Sequence, residues 1–156
     1  MTDTDLFVQM RSFNFLASSY QHLNEQYYKI CIRREERYCR IGYTASSDPD
    51  SFKISRNPTG ATSYQANNGE GGCGPDTLKI PEGSNYGDKA NCVNPVGTVP
   101  TVDFYCGGSL NCVTGQANGV TIISDRTPFE VEVDFNTAET NTGNRGFCLN
   151  YNQILC

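Results

Sequence analysis

Phe129-Glu-Val-Glu-Val-Asp-Phe135 decides how this chain is read. Phe129, Val131, Val133 and Phe135 alternate with Glu130, Glu132 and Asp134, the two-residue period of a strand with one face in a core and the other in water. Gly146-Phe-Cys-Leu-Asn-Tyr151 repeats the alternation, with Phe147, Leu149 and Tyr151 inward. The intervening Asn141-Thr-Gly-Asn-Arg145 is turn chemistry, so the two segments are expected to form an antiparallel pair.

Working outward, Ser51–Ile54, Thr77–Ile80, Val102–Tyr105 and Val120–Ile123 are short β-rich runs separated by Gly, Pro and Asn. A hairpin over residues 27 to 44 and a short strand at Ser12 to Phe15 complete the set. Many short strands in one domain predict an all-β sandwich or barrel. Only Ser18 to Gln26 reads as helical, for a single turn with Tyr20 and Leu23 on one side. Residues 55–72, 82–100 and 107–119 show no strand pattern, and cysteines stand in or beside them as tethers.

The chain carries eight cysteines and one histidine, with no Cys-x-x-Cys pair. That pattern predicts disulfides rather than a metal centre, and an oxidising compartment. Met1-Thr-Asp-Thr-Asp is not a secretory leader, so the leader is expected upstream of a processed or truncated start. Within Cys31-Ile-Arg-Arg-Glu-Glu-Arg-Tyr-Cys39, placing Cys31 opposite Cys39 would let them bond. The parity is uneven, because Tyr28, Ile30 and Ile32 face away from Cys31 whereas Ile41 and Tyr43 share the Cys39 face. A bulge, or cover on both faces, would be needed.

A net charge of −5 and a pI near 4.8 exclude a phosphate-backbone partner. The one basic cluster, Arg33, Arg34 and Arg37, shares its loop with Glu35 and Glu36 and reads as a solvated tip. No apolar run reaches the roughly 20 residues of a membrane-spanning helix. His22 is expected at the surface beside Leu23. No serine has the setting of a nucleophile elbow, and Glu130 and Glu132 alternate on a wet strand face, so no catalytic residue is assigned. Tyr20, Tyr64 and Tyr86, with Tyr27 or Tyr28, are candidates for a protein- or sugar-binding platform.

Ser12-Phe-Asn-Phe15, Tyr28-x-x-Cys31, Cys73-x-x-Asp76-x-Leu-x-Ile80, Tyr105-Cys-Gly107, Phe129–Phe135 and Gly146-Phe147 through Tyr151 follow one another in an order that resembles a CUB domain. Cys31-Ile-Arg-Arg-Glu, Cys39 and the terminal Asn150-Tyr-Asn-Gln-Ile-Leu-Cys156 look most like the divergent CUB-like domains of secreted arthropod proteins. The resemblance covers residues 12–156, preceded by an extended or partner-bound segment 1–11. It implies a jelly-roll-like antiparallel β-sandwich, disulfide-stabilised, extracellular and non-catalytic, that contacts proteins or glycans through its loops.

It also implies a Cys73–Cys106 disulfide and, with no cysteine before Cys31, leaves Cys31 for Cys39. Cys92 with Cys112 and Cys148 with Cys156 are the economical choices for the rest. Calcium is the one cofactor it brings, with Asp76 as the matching ligand and Glu70 and Glu139 as the nearest equivalents of the others. The competing class is a self-assembling subunit of an extracellular matrix, cement or filament, joined through strand edges or Leu6-Phe-Val-Gln-Met10.

Overall fold

A computed structural model of the chain describes residues 8–15, 21–54, 63–66, 76–86, 102–113, 118–136 and 144–156. Its regular structure among these residues is entirely strand: β1 (Val8–Arg11), β2 (Gln26–Ile32), β3 (Tyr38–Ala45), β4 (Phe52–Lys53), β5 (Ser63–Ala66), β6 (Asp76–Asn85), β7 (Val102–Gly107), β8 (Ile122–Ser124), β9 (Phe129–Phe135) and β10 (Gly146–Leu155). β9 has the anticipated bounds and alternation, its Phe and Val residues buried and its acids half-buried. Every pairing is antiparallel.

One continuous sheet curls into the two layers of a β-sandwich. The first runs β1-β10-β3-β8, with β4 also on β10, and the second runs β2-β9-β6-β7-β5. β6 belongs to both: Asp76–Lys79 pair with β9, and Gly83–Asn85 pair with β8. The corner is Pro81-Glu82. Proline has no N–H for the ladder, Glu82 adopts φ +52°, and its N–H donates to Asp103 Oδ1 at 2.8 Å. The Ser124 hydroxyl donates to the Pro81 carbonyl and fastens the bend from β8.

The core lies between the layers. Ile41, Tyr43, Ile122, Phe147 and Leu149 of the first layer are buried in one cluster with Leu78, Ile80, Tyr105, Phe129, Val131, Val133 and Phe135 of the second. A buried aliphatic or aromatic side chain of this size contributes about 1.5–3 kcal/mol relative to exposure. The alternating faces therefore hold the sandwich together.

Several expectations are corrected. β2 and β3 are consecutive but do not pair: Cys31 faces Glu130 on β9, and β3 lies between β10 and β8. A Cys31–Cys39 hairpin bond therefore lacks its geometry. The uneven parity had this cause, since each strand turns its own apolar residues to the core from a different layer. β9 and β10 likewise lie in separate layers rather than side by side. Cys148 and Cys156 stand at the two ends of β10, and at about 3.4 Å per residue they are far beyond disulfide reach.

Gln21–Glu25 is not helical and Gln26 already begins β2; Ser18–Tyr20 lie outside the described residues. Ser12–Phe15 is turn rather than strand, and the strand falls just before it, where Val8–Arg11 pairs with β10. Val8–Met10 is thus already partnered within the chain. β5 and the continuation of β6 through Asn85 arise in stretches that showed no strand pattern.

Candidate functional site

The outward face of β2 carries Tyr27, Lys29 and Cys31, whose opposite residues on β9 are Asp134, Glu132 and Glu130. Lys29 Nζ lies 3.1 Å from Glu130 Oε1 and 3.3 Å from Glu132 Oε2. Hydrogen bonds donated to those carboxylates, Glu130 first, hold the ammonium above the ordinary lysine range. Two of the three β9 acids thereby share one ammonium on the surface.

The third acid is placed differently. Asp134 stands at the end of β9 with Glu25, Gln26, Tyr27, Phe135 and Asn136 around an open hollow of about 360 Å³. Tyr27 is 68% exposed. The neighbouring Glu132 carboxylate raises its phenol above the ordinary value. Of the adjacent tyrosines, Tyr28 is the inward one: its ring meets Phe13 at 4.7 Å and its hydroxyl accepts from Phe13 N at 3.3 Å.

Beneath the hollow, Asp76 is fully buried opposite Phe135. Its Oδ1 accepts from the Asn136 N–H at 2.9 Å, and its Oδ2 lies 3.6 Å from His22 Nε2. His22 is buried rather than superficial. Its ring nitrogens face the Ile54 carbonyl at 2.9 Å and the Leu23 carbonyl at 3.2 Å, and its ring packs on Phe135 at 4.2 Å. The Ile54 carbonyl and the Phe135 ring come from distant parts of the chain, whereas Leu23 is the next residue. Behind His22, Gly146 has φ +91°, and a Cβ there would sit 2.1 Å from Ser12 Oγ. The position takes glycine on both grounds.

A family model described as Animal CUB domain matches residues 4–154. The chain belongs to the CUB family. No curated protein and no solved structure matches it. The two curled layers are the family's β-sandwich, and animal CUB domains are typically extracellular, generally non-catalytic interaction modules. No helix among the described residues is long and apolar enough to cross a membrane.

CUB domains often bind calcium. Of the three expected ligands, Glu70 and Glu139 lie outside the described residues and Asp76 is already held by the Asn136 N–H and the His22 ring. No three His, Cys, Asp or Glu are gathered for a metal among the described residues. Calcium takes six to eight oxygens, and of the expected ligands only Asp76 falls among the described residues.

The remaining expected site residues are dispersed. Cys106 and Cys112 are disulfide-bonded; Cys73, Cys92 and Tyr20 lie outside the described residues. Cys31, Cys39, Cys148 and Cys156 are thiols. Tyr64 is placed by its backbone in β5, opposite Cys106. Tyr86 is exposed just past the end of β6, whereas Asp76 by the hollow begins that strand. Tyr27 and Tyr86 therefore do not share a platform. Glu25 and Asp134 escaped notice because only the β2–β9 pairing brings them together.

Proposed function

We propose that this CUB domain is a secreted, non-catalytic interaction module of the divergent kind found in secreted arthropod proteins, and that it binds a protein partner by a lysine or arginine side chain. That side chain would lie on the Tyr27 ring between the Glu25 and Asp134 carboxylates. One observation carries the reading: Lys29 bridges Glu130 and Glu132 but not Asp134, and an exposed aromatic ring flanks the hollow beside it. A cation over an aromatic face contributes about 0.5–2 kcal/mol. A hydrogen bond to a charged group adds about 1.5–3 kcal/mol. The net charge of −5 would steer a basic partner at low salt.

A glycan partner lacks this support, because nothing in the hollow favours a neutral or acidic sugar over a cation. Self-association is the second reading, favoured by β2 and β5, each paired on one side only among the described residues.

Calorimetric titration with a tetralysine peptide, a tetra-aspartate peptide and a heparin oligosaccharide tests the first reading. The lysine peptide should bind, and Asp134→Asn or Tyr27→Ala should weaken it about tenfold, equivalent to about 1.4 kcal/mol. Equal affinity in both variants, or preference for heparin, would refute the site. Sedimentation of the same sample reports self-association.

A further inference from the structure

We propose that Cys39 and Cys156 form a disulfide that clasps β3 to the end of β10. The two strands are neighbours whose register slips by one residue: Ile154 faces Arg40, and Leu155 faces Tyr38. Cys39 is the extra residue of that bulge. Past the slip, the Cys156 N–H donates to the Arg37 carbonyl at 3.0 Å, so the pairing carries Cys156 alongside Cys39. The neighbouring Cys156 thiol raises the Cys39 thiol above its ordinary value.

Cysteines on hydrogen-bonded neighbouring strands, brought alongside by the register, need no change of strand pairing to be bridged. The other cysteines are worse placed. Cys31 points outward from the other layer opposite Glu130, Cys148 is buried at the far end of β10, and Cys106 and Cys112 are already in disulfides.

The bond forms by exchange with a small-molecule disulfide such as oxidised glutathione. One protein thiolate attacks the oxidant and releases one glutathione thiol; the second protein thiolate then displaces the other. Cys39 and Cys156 together lose two electrons and two protons, which leave as two glutathione thiols.

The clasp secures the connection between β2 and β3. Gln153 already holds that segment, donating from Nε2 to the Arg33 carbonyl at 2.9 Å and accepting the Glu35 N–H on Oε1 at 2.9 Å. This end of β2 is opposite the one that enters beside the hollow. The inference is therefore independent of the lysine-binding reading, and either can fail alone.

The test is a tryptic map of the full chain, folded in a glutathione redox buffer, alkylated without reduction and sequenced by tandem mass spectrometry. Cleavage after Arg37, Arg40 and Arg145 isolates Tyr38–Arg40 and Gly146–Cys156. The expected product is these two peptides joined through Cys156. Cys156→Ser should abolish the linked product and convert Cys39 from unreactive to fully alkylated. Cys39 found joined to Cys31 or Cys148, or alkylated in the unreduced wild-type chain, would overturn the proposal.

Discussion

Replacing Gly83 with alanine should weaken the domain at the strand that joins its layers. Gly83 follows the Pro81-Glu82 corner and is pinned from both sides, opposite Val102 on β7 and Ser124 on β8. A Cβ there would stand 2.3 Å from Tyr105 Oη, 2.8 Å from Ile122 Cγ2 and 3.2 Å from Tyr105 Cζ. Tyr105 and Ile122 are both fully buried, and the rigid phenol ring has no open direction in which to swing. Overpacking of this kind costs about 1–3 kcal/mol. At about 2–4 °C per kcal/mol for a chain of this size, Tm should fall by about 2–12 °C.

The second half of the argument is the identity of the obstructing atom. Tyr105→Phe deletes the nearest contact together with a buried hydroxyl that has no hydrogen-bond partner among the described residues, so by itself it should be close to neutral. In the double variant the loss should shrink, with a coupling of about 1 kcal/mol. Urea unfolding followed by circular dichroism, with disulfides intact, measures all four corners of the cycle. A Gly83→Ala cost below about 0.5 kcal/mol, or strict additivity with Tyr105→Phe, would refute the packing described.

Alkaline pH should unfold the domain through its interior phenols. Burial raises Tyr43 and Tyr105 above the ordinary value of 10.0, so the folded state keeps their protons where the unfolded state loses them. Stability is unaffected below pH 10 and falls as pH rises beyond it, at up to about 1.4 kcal/mol per pH unit per group; Tyr43→Phe should flatten the fall, read by tyrosinate absorbance and urea melts. Calcium or a chelator should leave Tm unchanged, because Asp76 is held by Asn136 and His22. A calcium-dependent rise in thermal melts would restore the Asp76, Glu70 and Glu139 assignment.

Much of the fold was legible because a strand buried on one side writes a period of two into its residues. Phe129–Phe135 showed its bounds and its inward face, and the Cys31–Tyr43 stretch showed that something was wrong with a simple hairpin. The candidate site was less legible. Tyr27 was visible as one of two adjacent tyrosines, but its partners Glu25 and Asp134 belong to a strand pairing that spans about a hundred residues. His22 gave no sign of burial, since the Ile54 carbonyl and the Asp76 carboxylate that receive it come from other parts of the chain.

By itself the sequence determined an all-β chain, the face each main strand turns to the core, and the order of motifs that marks a CUB domain. Tertiary structure alone decided which strands are neighbours: β2 with β9, β3 with β10, and β6 bent through both layers. It thereby decided which cysteines lie on neighbouring strands and which β9 acid Lys29 leaves unbridged beside Tyr27. The reason is physical. Alternation encodes the direction of a side chain, a local property, whereas the choice of neighbour depends on register, corners and packing that exist only once distant segments are in contact.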